Sequence, residues 1–164
     1  MLESVPVARF IERVFRRYKN SIGVYSGVWV QLPDTKDSEV KKIDIVYLLK
    51  DGYSLEGLIE REQPYSDEKK RWRFIGRLQD SFLYGFFHGI SGNNVDSHGL
   101  IELYFKDGPD CIFEGHYKKI VKVVSDEEGA KKTIQLQPAE IDLTWRRKGA
   151  LPFWKRIKMV FIGM

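Results

Sequence analysis

Between residues 24 and 145 the chain breaks into about eight short segments rich in β-branched and aromatic residues, each ended by turn chemistry. That spacing restricts it to a small all-β domain. The segments fall near 24–32, 41–50, 53–62, 70–79, 81–89, 98–106, 110–124 and 132–145. Alternation is clearest in Ile43, Ile45, Tyr47 and Leu49, in Tyr53, Leu55, Gly57 and Ile59, and in Gly99, Ile101, Leu103 and Phe105, so these faces are read as facing a core. Lys50-Asp51-Gly52 and Lys106-Asp107-Gly108-Pro109 are tight-hairpin sequences, because Asp-Gly tolerates the positive φ that short turns need. Short turns pair neighbouring strands antiparallel.

Two tryptophans indicate how the ends of this sheet meet. Gly27-Val28-Trp29 in the first segment is answered by Thr144-Trp145-Arg146-Arg147 in the last. In small up-and-down barrels a first-strand Trp plugs one end, and a cation from the last strand can lie over its indole, contributing roughly 0.5–2 kcal/mol. Leu55-Glu56-Gly57, Phe74-Ile75-Gly76 and Phe113-Glu114-Gly115 each set a glycine two residues after a large apolar group, which lets a strand bend or admits a close neighbour. The expected fold is all-β: an antiparallel up-and-down barrel of about eight strands, lipocalin-like in form, over residues 21–147. An amphipathic basic helix over 1–20 and a short basic C-terminal helix in 148–164 flank it.

With 164 residues and 43% hydrophobic content the chain can bury one sizeable core but hardly two. Cys111 is its lone cysteine, and no segment reads as a secretory signal, which points to a reducing, cytosolic setting. No run of about 18 apolar residues is present. The net charge of +4 hides an asymmetry: residues 1–20 carry +3 and residues 146–164 carry +6, leaving 4 − 3 − 6 = −5 for the body. Binders of DNA or RNA duplexes concentrate positive charge on the folded body, so no such partner is expected. Basic ends suit an anionic membrane surface instead.

Val7, Phe10, Ile11, Val14, Phe15 and Tyr18 recur at helical spacing with Arg9, Arg13, Arg16 and Arg17 between them. That helix either caps a barrel mouth or lies near a membrane. The segment 151–162, with Phe153, Trp154, Lys155, Arg156 and Lys158, has the composition of an interfacial anchor and could equally pack on the barrel.

No Gly-rich phosphate loop, Gly-x-Ser-x-Gly elbow or cysteine nucleophile motif appears, so a non-enzyme without cofactor is expected. His88, His98 and His116 fall on consecutive strands, but no short-range ligand motif accompanies them and no metal site is assigned. Ligand binding has more support, because several tyrosines in one barrel need polar partners and imply a partly wet interior. Trp29, Tyr47, Tyr84 and Tyr117 are the expected stacking or wall groups, with Arg73, His88 and His98 contacting polar atoms. Arg71, Arg73 and Arg77 read more simply as a solvated outer face opposite Trp72, Phe74 and Leu78.

His98-Gly99-Leu100-Ile101-Glu102-Leu103, followed by Cys111-Ile112-Phe113-Glu114-Gly115-His116-Tyr117, resembles the His-x-Gly strand and Leu-Glu-Gly-Tyr-Tyr hairpin of a bacterial effector barrel; Gly27-Val28-Trp29 resembles its opening strand. The family is the membrane-anchored β-barrel effector of bacterial cyclic-oligonucleotide anti-phage (CBASS) defence, and the resemblance covers residues 23–147. It implies a barrel that senses a cyclic dinucleotide, self-associates when liganded and disrupts the inner membrane in an abortive infection response, with the barrel facing the cytoplasm. The family's two transmembrane helices have no counterpart in these residues. The resemblance therefore implies either a piece whose residues 9–19 follow the second helix on the cytoplasmic side, or a soluble relative. Two other readings of the residues stay open, a carrier of an apolar small molecule and a filled barrel acting as an interaction module.

Overall fold

Tight turns set the pairing. The computed structural model describes residues 4–20, 23–31, 43–63, 70–91, 97–125 and 133–161. Its strands are β1 (Gly27–Gln31), β2 (Ile43–Asp51), β3 (Ser54–Gln63), β4 (Arg71–Gln79), β5 (Phe82–Gly89), β6 (His98–Lys106), β7 (Ile112–Ser125) and β8 (Thr133–Gly149). They pair antiparallel in chain order and close β8 onto β1 as an up-and-down barrel. Helix α1 (Ser4–Asn20) precedes the barrel and α2 (Phe153–Phe161) follows it.

Pairing of Asp51 with Ser54 leaves Gly52 and Tyr53 as the β2–β3 turn, with Gly52 at φ 64°. Pairing of Gln79 with Phe82 leaves Asp80 and Ser81, both at positive φ, 48° and 70°. Positive φ at both central residues matches the twist of the flanking strands. These turns and the β6–β7 connection lie at one end of the barrel, so the longer connections leave from the other. At that second end β7 and β8 run on: β6 pairs with β7 only as far as Gly99 opposite Lys119, while the β7–β8 ladder continues to Ser125 opposite Thr133.

The interior is filled toward the tight-turn end. Trp29, Phe74, Phe105, Phe113 and Trp145 are buried there with Leu48, Leu55, Leu83 and Leu103. Trp29 packs at 4.9 Å from Phe113, and Tyr25, just before β1, meets Phe105 edge-on at 4.7 Å. Arg147, opposite Trp29 on β8, donates Nη2 to the carbonyls of Gly23 and Ser26 and so ties the segment entering β1 to the last strand. Gly76 and Gly85 make room for the Phe74 ring, because a Cβ at either would strike it.

On β2 the expected face is reversed. Asp44, Val46 and Leu48 are buried on the barrel side, while Ile43, Ile45, Tyr47 and Leu49 take the opposite parity and face outward. This strand is apolar on both faces because the helices cover its outer side, where Leu49 is sealed by Leu151 and Met159 with Val14 against them. Arg17 is the buried staple of that layer: its guanidinium donates to both carboxylate oxygens of Glu56, at 2.8 and 3.2 Å, and to the Met159 carbonyl at 3.0 Å. Arg16 pairs with Asp51, and Lys155 of α2 reaches Glu60 at 3.0 Å.

Helix α1 therefore does not cap the mouth with its apolar stripe. Val7, Phe10, Ile11, Phe15 and Tyr18 remain between 41 and 70% exposed, and Trp154 at the start of α2 is 78% exposed. Among the described residues no helix is long and apolar enough to cross a membrane.

Candidate ligand-binding cavity

At the end opposite the tight turns the barrel is not filled. A cavity of about 240 Å³ opens there. Its inner wall is apolar and aromatic: Ile59, Trp72, Phe87, Ile101, Leu143 and Trp145, with Tyr117 above them. Each arrives by strand parity. On β3 the inward series Leu55, Gly57, Ile59 continues to Arg61, and on β7 the series Phe113, Gly115, Tyr117 continues to Lys119. The rim is polar, made of Gln31, Asp44, Arg61, Lys70, Ser97 and Lys119.

Asp44 and Arg61 sit opposite each other on β2 and β3 and pair through both carboxylate oxygens, with Nη2 to Oδ2 at 3.0 Å and Nε to Oδ1. The guanidinium lies 5.2 Å from the Trp72 ring, so it is held from the side by a carboxylate and from below by an indole. Trp72 is oriented in turn by its Nε1–H, which donates to Ser97 Oγ at 3.1 Å. Tyr117 meets Phe87 edge-on at 5.8 Å, and Lys119 Nζ lies 5.8 Å from the Tyr117 ring. Among the described lining residues, Arg61, Lys70 and Lys119 stand against Asp44, on a body whose sequence is otherwise acidic.

Trp145 is fully buried at the cavity floor, and its indole Nε1–H has no hydrogen-bond partner among the described residues. A buried donor left unmade costs about 1–3 kcal/mol. The site can thus take a flat ring against Trp72, Phe87 and Tyr117 and an anion at the rim.

Of the residues expected from sequence, only Tyr117 lines this cavity. Trp29 points inward but is part of the packed half, against Phe105 and Phe113. Tyr47 faces outward beneath α2, with Lys155 Nζ 4.2 Å from its ring; burial, then the charges of Glu60 and Glu62, push its phenol up to about 12. Arg73 and His88 pair across β4 and β5, His88 and His98 across β5 and β6, and all three lie on the outer face, as does Tyr84. The reason is parity: β5 carries aromatics on both faces, so its alternation does not tell inside from outside. Asp44, Arg61, Lys70, Phe87 and Lys119 were missed, although extending the Leu55–Gly57–Ile59 series by one step reaches Arg61. No family model matches the sequence, and no curated protein or solved structure matches it.

Proposed function

We propose that the barrel is a sensor for a cyclic nucleotide and acts as a membrane-associated, self-associating effector in bacterial anti-phage defence. The observation that carries the ligand half is the cavity: an aromatic wall beneath a rim with three cations and one carboxylate. A nucleobase stacks on Trp72, Phe87 or Tyr117. A phosphate meets Arg61, whose bonds to Asp44 use Nε and Nη2 and leave the Nη1 amino group for the ligand, together with Lys70 and Lys119. At about 240 Å³ the cavity lies just under the roughly 300–1,000 Å³ of small-molecule sites, so it seats one base while the rest of the ligand spreads over the rim.

The membrane half is supported by the exposed stripe of α1 and by Phe153 and Trp154, set among the cations of both helices. For ligand to drive assembly it must bind the assembled state more tightly than the resting one, since equal affinity shifts nothing. Thermal melting of the full chain against cyclic di- and trinucleotides, linear mononucleotides and fatty acids tests the reading. One cyclic nucleotide should raise the midpoint, and Trp72→Ala or Lys119→Ala should reduce that shift. A response to fatty acids alone would make the protein a carrier of apolar molecules, and no response would favour an interaction module that works through its surface; either result rejects the sensor.

A further inference from the structure

Among the described residues no helix covers the outer face of β4, β5 and β6, which forms a regular grid. Its rows, read across the three strands, are Gln79–Phe82–Tyr104, Arg77–Tyr84–Glu102, Ile75–Phe86–Leu100 and Arg73–His88–His98. The six large apolar members of the first three rows are each between 43 and 52% exposed. They form one field, with Phe82 5.0 Å from Tyr104 and stacked at 6.1 Å on Tyr84. A contiguous apolar patch of this size is often functional.

We infer that this face docks a second copy of the same chain about a two-fold axis running along β5. Such an axis keeps each row and exchanges its two ends. It places Tyr84 on Tyr84 and Phe86 on Phe86, Ile75 against Leu100 of the second copy, and Arg77 against Glu102 of the second copy, twice. The charge complementarity is thus internal to one row of one chain. Glu102 is prepared for it: Lys118 Nζ and His116 Nε2 both donate to its Oε2, at 3.1 and 2.8 Å, which leaves Oε1 for the incoming guanidinium. Arg77 is exposed, resting 5.8 Å from the Tyr53 ring. A lipid surface fits less well, because an anionic headgroup pairs with Arg77 but stands against the Glu102 carboxylate in the same row.

Three strands and four rows span roughly 14 Å by 27 Å, about 400 Å² per copy. That is about half the area per partner of a standard interface, so the dimer is weak in solution and favoured when both copies are held on one surface. The contact rests on the outer face alone. It relies on the proposed function only for its use, as the surface through which the effector self-associates.

Sedimentation equilibrium of the full chain without nucleotide, up to about 0.5 mM, tests the contact. Weight-average mass should rise with concentration. Arg77→Glu and Glu102→Arg should each lower the association constant at least about tenfold, and the double exchange should restore it. Circular dichroism melts confirm that each variant folds. In a Cys111→Ser background, Tyr84→Cys should be joined to its own copy by a short bis-maleimide, whereas Ile11→Cys should not. A monomer throughout, or a double exchange that fails to restore association, overturns the inference. A dimer of this kind in a chain that binds no cyclic nucleotide would leave the inference standing and reject the ligand reading.

Discussion

Replacing Gly85 with alanine should destabilise the barrel far more than a surface strand substitution does, because the glycine is the seat of a core ring. A Cβ there would fall inside the Phe74 ring edge, at Cε2 and Cζ, and 2.9 Å from the Ile75 carbonyl oxygen. Phe74 cannot swing away freely, since it is fully buried and meets Trp145 edge-on at 6.0 Å. Overpacking of this kind costs about 2–3 kcal/mol, which in a chain of this size lowers the melting temperature by roughly 4–12 °C. Phe74→Leu alone should cost about 1–2 kcal/mol by lost packing. With the ring gone, Gly85→Ala loses its two nearest obstacles and keeps only the Ile75 carbonyl, so the double variant should be more stable than the sum of the single losses by at least about 1 kcal/mol. Urea denaturation of the four proteins, compared at constant m-value, measures the cycle. Additive losses, or a Gly85→Ala protein as stable as wild type, would show that Phe74 does not rest on this strand.

Other consequences follow from individual residues. Ser81 sits at φ 70° in a two-residue turn, so Ser81→Gly should raise stability by about 1 kcal/mol in the same denaturation assay. Tyr47 keeps its proton up to about 12 against an ordinary 10.0, so its contribution to stability is fully present below pH 10 and is lost as pH rises toward 12. Ultraviolet titration of Tyr47→Phe should lack the highest-pH phenol step, and its alkaline melting curve should be flatter. Arg17→Ala removes the buried staple joining Glu56 and Met159, at a cost near 3 kcal/mol, and hydrogen exchange should accelerate in both helices before it does in the barrel.

Much of the fold was legible because its signals are local. Asp51-Gly52 marked the β2–β3 turn, and the glycine-after-aromatic pattern at Phe74-Ile75-Gly76 marked a place where a ring needs room inside. The last strand runs further than expected, to Gly149, because Arg146 and Arg147 stay paired with β1. What was not legible is which face of a two-sided apolar strand turns inward. On β2 the helices bury the outer face, and on β5 the aromatics Phe82, Tyr84 and Phe86 occupy the face that solvent sees, so alternation alone pointed the wrong way. The site residues followed that error: Tyr84, Arg73, His88 and His98 were assigned to an interior they do not line. The Asp44–Arg61 pair escaped notice because charged residues at strand ends usually face water, and only closure of the barrel makes them a rim.

Four indole N–H groups allow the central claim to be tested in one spectrum, since the chain contains only Trp29, Trp72, Trp145 and Trp154. Trp72 and Trp145 line the cavity, Trp29 lies in the packed half, and Trp154 is exposed on α2. In a nitrogen-15 correlation spectrum titrated with cyclic nucleotides, the indole signals of Trp145 and Trp72 should move together and saturate, while those of Trp29 and Trp154 hold still. If no cyclic nucleotide moves the Trp145 and Trp72 signals, or if Trp154 alone responds, the cavity is not the site of a nucleotide signal.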